Sequence, residues 1–253
     1  MRVTFLGTGT SQGVPVIACD CEVCSSIDYR DKRYRTSVLV EVDGKNLVID
    51  TGPDFRSQML RERVAKLDAV LFTHEHKDHT AGMDDVRSFN FKQRKDMPVY
   101  ARKNVIEQLK REFSYVFSEK KYPGVPRVEV NEIDSTPFLV DKVKITPINV
   151  LHYKLPVFGF RIKDFTYITD ANYISPEEKE KTKGSKVLVV NALQKTEHIS
   201  HFTLAEAIEL AEEVKAEKTY FTHISHRMGL HSDVSKELPE NMFLAYDGQQ
   251  VKL

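Results

Sequence analysis

Four side chains that can bind a metal ion lie within six residues, directly after the apolar residues 70–72. They are His74, His76, Asp78 and His79. Imidazole and carboxylate groups are the ligands that suit zinc, manganese and iron in proteins. Packed this closely without a cation, they would repel one another or stay unpaired. The sequence therefore predicts a metal site here, and its spacing differs from the helical His-Glu-x-x-His pattern, in which the two histidines share one helix face.

Three more side chains of ligand type follow apolar runs later in the chain. They are His152, Asp170 and His223. If these runs are strands of one sheet, their ends can meet at one edge, where the sites of α/β proteins usually lie. Each has an alternative on its own, because a histidine after a strand often bonds only to a loop and Asp170 could cap a turn. Their order relative to His74 favours a shared site.

All of the cysteines fall within six residues. They are Cys19, Cys21 and Cys24. An odd number at this spacing is a poor disulfide framework and suits a reducing compartment. A structural zinc site needs four ligands in a tetrahedron, so a fourth ligand must come from elsewhere. His226 is the first candidate, because the segment that holds His223 could then serve both sites, and His231 is the second. Three free cysteines, or a redox trio, remain the alternatives.

The elements that must position these residues can be read from short β-branched and aromatic runs between turn residues. The predicted strands are residues 3–6, 37–42, 46–49, 69–72, 99–101, 143–150, 158–162, 166–169, 187–190, 218–221 and 242–245. Asp43-Gly44 is a hairpin signal. Apolar spacing and caps predict helices at residues 104–113, at 203–214 and after Ser175-Pro176. The pattern indicates an α/β layered fold of one domain, residues 1–253, in which residues 113–126 have no assignment.

Composition limits the partners. Lys plus Arg and Asp plus Glu both number 37, so the formal net charge is zero. The chain therefore has no general attraction to nucleic acid or to an anionic membrane, and any phosphate must be held locally. No apolar run approaches the roughly 18 residues that a membrane helix needs. The first residues lack the pattern of a signal peptide, so we expect a cytoplasmic protein.

The His-x-His-x-Asp-His spacing after a strand resembles the motif of the metallo-β-lactamase superfamily. Residues 7–15, the cysteine trio, and residues 34–37, 222–226 and 246–248 together resemble the phosphoribosyl 1,2-cyclic phosphate phosphodiesterases of phosphonate (carbon–phosphorus lyase) breakdown. The resemblance spans residues 7–248. It implies an αββα sandwich, with two mixed sheets packed face to face and helices outside. It also implies a homodimer.

The resemblance implies two divalent metals, manganese or zinc, at the active site. His74, His76 and His152 would hold one; Asp78, His79 and His223 would hold the other; and Asp170 would bridge them. A metal-bridging hydroxide would then attack a small cyclic or linear phosphodiester. Asp50, in Asp50-Thr51-Gly52, would orient a ligand histidine, unless it only forms a turn.

Two further roles follow from the same resemblance. Cys19, Cys21, Cys24 and His226 would hold one structural zinc. His201 would be the general acid, so that the catalytic residues are Asp78, Asp170 and His201. His198 is an alternative to His201, which could instead be an exposed residue before a helix.

Two rival functions share these motifs. Endonuclease Z, which processes tRNA 3′ ends, has the same metal motif, but its family uses a long basic arm to dock tRNA. We find no such insertion in this sequence, and the partner that we expect is a small molecule rather than a nucleic acid. Pyrroloquinoline-quinone biosynthesis B proteins resemble the glycine-rich segment and the cysteine trio, and would predict a non-hydrolytic role.

Overall fold

The strands form where the sequence alternates apolar and polar residues or is apolar throughout. The computed structural model of the protein describes residues 1–120 and 122–253. Its strands are β1 Arg2–Gly7, β2 Ser37–Val42, β3 Lys45–Ile49, β4 Ala69–Leu71, β5 Met97–Ala101, β6 Val128–Glu132, β7 Phe138–Val140, β8 Val143–His152, β9 Leu155–Ile162, β10 Phe165–Tyr167, β11 Tyr173–Ile174, β12 Val187–Asn191, β13 Lys218–Thr222, β14 Met242–Leu244 and β15 Gln250–Lys252.

The helices are short. They are α1 Glu22–Ser25, α2 Phe55–Arg61, α3 Lys77–Thr80, α4 Arg87–Gln93, α5 Lys103–Glu112, α6 Ser114–Phe117, α7 Pro176–Glu180, α8 Leu204–Val214 and α9 His231–Glu237. The best capped of them, α7 and α8, were predicted correctly. Helix α8 begins with the predicted capping box between Thr203 and Glu206. Helix α7 begins after Ser175, whose side chain accepts from the backbone N–H of Glu178. Among the described residues, no helix is both long enough and apolar enough to cross a membrane.

Two mixed sheets are present. The first has the order β15-β1-β2-β3-β4-β5-β6, and the second has β11-β8-β9-β10-β12-β13-β14 with β7 paired to β8. In each sheet, an antiparallel half precedes a parallel half. The hairpin between β2 and β3 turns at Asp43 and Gly44, which have φ angles of 49° and 75°, as the sequence predicted.

The alternation of side chains builds the layers. Val38 and Val40 of β2 face the second sheet, whereas Leu39 faces the helices outside. Val187 and Val189 of β12 face the first sheet, and Leu188 between them packs against α8. One apolar cluster therefore lies between the sheets and one lies under each outer layer, which confirms the αββα sandwich.

The sequence missed the elements that have weak apolar patterns. Strand β6 alternates valine with charged residues at a sheet edge, and β7, β11 and β15 have three residues or fewer. Helix α2 has no side-chain cap. The unassigned residues 113–126 include helix α6, and position 121 lies outside the described residues.

The ligand-type residues meet where strands of both sheets end. Asp50 follows β3 and residues 73–79 follow β4 in the first sheet, while His152, Asp170 and His223 lie at the ends of strands in the second. As expected, the strands that end near His152, Asp170 and His223 belong to one sheet, and the first sheet adds the ends of β3 and β4 to the same edge. Because the sheets are stacked, their carboxyl-end loops face each other across the core, and the site lies between them.

Backbone contacts fasten the ligand-bearing turn around α3 to the loop after β3. The N–H of Thr51 donates to the carbonyl of His79 at 2.8 Å, and Gly82 N–H donates to the carbonyl of Thr51 at 2.7 Å. Gly52 lies so close that a Cβ added to it would be 2.1 Å from the carbonyl oxygen of Asp78. Only a glycine at position 52 permits this approach.

We therefore expect Gly52→Ala to destabilise the fold by about 1–3 kcal/mol, because neither backbone can move without disturbing the turn. Gly44→Asn is the matched control, since nothing lies within 4 Å of its Cβ position and asparagine tolerates its positive φ. Urea unfolding of both variants measures the difference. Equal stability of the two variants would contradict the close approach.

Candidate metal centre

The first group of ligand-type residues is His74, His76 and His152. One ring nitrogen of each lies within 4.8 Å of the others. His74 is buried, His152 is half-buried and His76 is exposed. The Nδ1 atom of His74 lies 3.0 Å from the hydroxyl of Thr73, and Nδ1 of His152 lies 2.9 Å from the carbonyl of Ser200. These contacts leave the Nε2 atoms of His74 and His152 available as ligands.

The second group is Asp78, His79, Asp170 and His223, whose ligand atoms also lie within 4.8 Å of one another. Nε2 of His79 is 3.2 Å from a carboxylate oxygen of Asp78 and 3.2 Å from one of Asp170. Nε2 of His223 is 3.0 Å from Asp170. The two groups are adjacent, because the rings of His74 and His79 have centroids 4.2 Å apart.

Asp50 orients two of these histidines from beneath. Its carboxylate is fully buried and accepts from the backbone N–H and the hydroxyl of Thr73, each at 2.8 Å. It also accepts from Nδ1 of His79 at 2.7 Å. The Thr73 hydroxyl in turn can accept from His74, so one carboxylate fixes the tautomers of both rings. This geometry fits the orienting role better than a simple turn.

Three of the polar residues at this edge have left-handed backbone conformations. The φ angles of Asp50, Asp170 and His223 are 65°, 55° and 56°. Each such residue costs roughly 1–3 kcal/mol, and such outliers cluster at functional sites. The backbone of Asp170 is held in place by Asn191, whose side chain bonds both the N–H and the carbonyl of Ala171. The chain thus maintains strain where the ligand-type groups converge.

The donor set fits a pair of divalent cations. Nε2 of His74, Nε2 of His79 and both ring nitrogens of His223 are buried without a hydrogen-bond partner in the described structure. Nε2 of His79 and of His223 lie near carboxylates but are not aligned for hydrogen bonds. Buried polar atoms are rarely left unpaired, because each costs free energy. Imidazole nitrogens and carboxylates facing one space are the ligands that zinc and manganese accept.

The charges of the two groups differ. Burial lowers the pKa of His74 well below its usual range, so this ring is neutral and can donate a lone pair. Burial also acts to lower the pKa of His223, but Asp170 and Asp78 outweigh it and raise that pKa to about 9. The carboxylates of the second group therefore favour positive charge on the neighbouring ring. Bound cations can supply that charge in place of protons.

His201 lies beside the second group. Its Nε2 is 3.1 Å from Asp170, and its Nδ1 is 3.0 Å from the Ser200 hydroxyl and 3.2 Å from Nδ1 of His198. Burial is the main cause that lowers the pKa of His201 to about 4, so the ring is neutral and can hold its proton on Nε2, towards Asp170. His198 is exposed and one contact further from the centre.

A polar pocket of about 230 Å³ opens beside His201. Its lining residues include Ser11, Gln12, Gln194 and Arg227. Among the described residues that line it, Arg227 carries the one permanent charge, and most of the others have hydroxyl, amide or imidazole side chains. No local pattern in the sequence indicates this pocket, because its residues come from three separate loops.

The cysteine trio meets His226. The Nδ1 atom of His226 lies 3.3, 3.4 and 3.6 Å from the sulfur atoms of Cys19, Cys21 and Cys24. A tetrahedral zinc with ordinary bond lengths would separate nitrogen and sulfur ligands by about 3.6 Å. The backbone N–H of Cys24 and then His226 lower the pKa of Cys21 to about 6, which favours a thiolate. These four residues thus fit a structural zinc.

His231, the second candidate for the fourth ligand, lies elsewhere. It is buried against Arg33, whose guanidinium donates to Nδ1 of His231 at 3.1 Å. The backbone N–H of His231 donates to Asp31. Burial, then Arg33 and Arg30, lower the pKa of His231 to about 4, against the opposing charges of Asp31 and Asp28. It is therefore a neutral residue that joins α9 to the loop after α1.

Known proteins share this fold and these motifs. The family model described as a beta-lactamase superfamily domain matches residues 45–224. A crystal structure described as a new diphosphatase from the PhnP family is 38% identical, has a TM-score of 0.93, and is matched over 100% of this chain and 97% of its own. Zinc-bound PqqB from Methylobacterium extorquens has a TM-score of 0.81 at 18% identity, with 100% of both chains covered, which shows likeness of fold alone.

A curated relative is longer. A protein named octanoyltransferase, from Porphyromonas gingivalis (strain ATCC BAA-308 / W83), is 39% identical over 251 residues, which cover 98% of this chain. The match covers 51% of the relative, so this chain spans about half its length. The name of the whole relative therefore does not assign an activity to the half that resembles this chain.

We expect Cys21→Ala to lower the metal content by one zinc per chain and to lower the melting temperature, because a structural zinc contributes folding energy. Elemental analysis of the purified variant, beside thermal unfolding, measures both. Ser25→Ala is the matched control, since Ser25 lies next to Cys24 at the end of helix α1, and its side chain donates to the carbonyl of Asp20 and not to a cysteine sulfur. Unchanged zinc in Cys21→Ala would contradict the assignment.

The buried His231 predicts a pH effect on stability. The folded pKa of about 4 lies below the ordinary 6.5, so the unfolded chain binds the proton more strongly. The contribution to stability is therefore complete above pH 6.5 and is lost as the pH falls towards 4. His231→Gln keeps an acceptor for Arg33 without the titration, and should flatten this decline in urea unfolding. Ser232→Ala is the control, because it leaves His231 in place and should keep the decline of the wild type. If the stability of His231→Gln fell as steeply with pH as that of the wild type and of Ser232→Ala, His231 would not be responsible.

Proposed function

The chain belongs to the beta-lactamase superfamily, as its His-x-His-x-Asp-His motif predicted, and on that premise we propose that it hydrolyses a small cyclic or linear phosphodiester. The observation that carries this proposal is the convergence of the two ligand groups, with the buried Nε2 atoms of His74, His79 and His223 unpaired among carboxylates. The likeness to a PhnP-family diphosphatase over the whole chain supports a phosphate compound as the substrate class.

In this proposal His74, His76 and His152 hold one divalent cation, and Asp78, His79 and His223 hold the other. Asp170 lies between the groups, within reach of His79, His201 and His223. When bound, such a pair of cations, manganese or zinc, supplies an activated water molecule and offsets charge on phosphoryl oxygens.

The remaining steps belong to side chains of the protein. Asp50 keeps the proton of His79 on Nδ1, so that Nε2 stays free for binding. His201 lines the pocket with its Nε2 3.1 Å from Asp170, and as the general acid its ring would take up a second proton, pass it to the leaving oxygen and return to the neutral form. Such a donor contributes about 10²–10⁴-fold to the rate. Arg227 and the amides of Gln12 and Gln194 bind the polar part of the substrate that does not react.

The proposal is tested with a substrate panel on protein loaded with manganese or with zinc. We expect turnover of bis(p-nitrophenyl) phosphate and of a five-membered cyclic sugar phosphate. Precursor tRNA should not be cleaved, because a chain with no net charge lacks the general attraction that RNA binding needs. Cleavage of the tRNA without turnover of the small diesters would favour the endonuclease, and turnover of no ester would favour a non-hydrolytic role.

Asp170→Ala should lower kcat for the small diester by more than about 100-fold, because a ligand matters at least as much as the groups that orient ligands. The zinc held by the cysteines should remain, and elemental analysis checks this. Asp164→Ala is the matched control, since Asp164 is half-buried at the surface and its carboxylate pairs with Lys186 at 3.4 Å. Full activity of metal-loaded Asp170→Ala protein would refute the assignment.

A further inference from the structure

Asn172 lies two residues after Asp170 and bonds to loops on both sides of the metal centre. Its backbone N–H donates to the carbonyl of Leu151 at 2.8 Å. Its side-chain oxygen accepts from the backbone N–H of Tyr153 at 2.7 Å. Its side-chain nitrogen donates to the carbonyl of Ile199 at 3.1 Å. Asn172 therefore holds the residues on either side of His152 and also the segment that leads to His201.

These contacts belong to a closed ring of hydrogen bonds. His152 lies between the two residues that Asn172 holds, and its Nδ1 donates to the carbonyl of Ser200. Ser200 joins Ile199 to His201, and His201 returns to Asp170 through the 3.1 Å contact of Nε2. His152, Asp170 and His201 thus lie on one circuit, and their ligand atoms lie within 4.8 Å of one another.

An amide suits this place in the ring. The side chain accepts from one backbone N–H and donates to one backbone carbonyl at the same time, and an amide offers a separate atom for each. Aspartate keeps the acceptor but loses the donor, and alanine loses both. The orientation of the Asn172 amide is determined by its two partners, because the reverse orientation would oppose two donors and two acceptors.

We infer that Asn172 is a positioning residue, which sets the separation of His152 and His201 across the metal centre. This inference rests on the proposed diesterase function for its kinetic test only. The half-buried amide does not line the pocket beside His201, so it acts through these two histidines and not by contact with the substrate.

The experiment compares Asn172→Ala and Asn172→Asp with the wild type and with Asn131→Ala. Asn131 is the matched control, because its side chain donates to the carbonyl of Glu129 on the edge strand β6, in a different sheet from Asn172's partners. We expect Asn172→Ala to lower kcat for bis(p-nitrophenyl) phosphate by about 10–100-fold with little change in KM, as for other groups that orient ligands. Asn172→Asp should fall between Asn172→Ala and the wild type.

A second readout does not depend on turnover. In protein loaded with Co²⁺, both Asn172 variants should shift the visible absorption bands, because the position of His152 changes, whereas Asn131→Ala should not. Wild-type kcat together with wild-type bands in Asn172→Asp would overturn the inference, even if Asn172→Ala failed to fold. If the wild type cleaved no diester but the bands shifted in both variants, the proposed function would fail and the positioning role would stand.

Discussion

The burial of two carboxylates and several imidazoles at one edge of the sandwich is the constraint on which the rest of the structure depends. Asp50 and Asp170 are almost completely inaccessible to water, and His74, His79 and His223 surround them. Buried charges persist only when they are paired or bind a metal. The Asp50–His79 hydrogen bond of 2.7 Å satisfies one carboxylate within the protein. Asp170 accepts from the Thr169 hydroxyl at 2.7 Å and lies 3.1 Å from Nε2 of His201, but the Nε2 atoms of His79 and His223 beside it stay unpaired, and these surroundings define where a cation is needed.

This arrangement costs backbone strain, and the architecture supplies the compensation. The left-handed residues Asp50, Asp170 and His223 each terminate a buried strand or its extension, so the ladders of β3, β10 and β13 hold the chain on one side. On the other side, buried polar groups such as Asn191 bond the adjacent backbone. The two stacked sheets bring together the ends of five strands, β3, β4, β8, β10 and β13. One sheet could not do this without longer loops.

The motif and the strand ends could be predicted because each is a local pattern, whereas the supports could not. His74, His76, Asp78 and His79 stand together in the sequence, and His152 and His223 end apolar runs that are visible without coordinates. Helix α2 was missed because it has no side-chain cap, and strand β6 was missed because it is short, lies at a sheet edge and has two apolar residues. Ser200 contacts His152, 48 residues away, and Asn172 contacts Tyr153, 19 residues away. No spacing in the sequence predicts these contacts.

One segment connects the metal centre to the cysteine cluster. Ile224 donates to the carbonyl of Thr8 at 2.8 Å and accepts from the N–H of Thr10 at 3.2 Å, so the loop after β1 holds it from both ends. His223, on one side of Ile224, turns into the centre, and His226, two residues beyond, reaches the three sulfur atoms. Gly9 packs closely against residues 33–34, so this loop can pass between the two sites. A cation held by the cysteines would therefore stabilise the same backbone that aims His223, which gives a small surface loop a structural reason to carry three thiols.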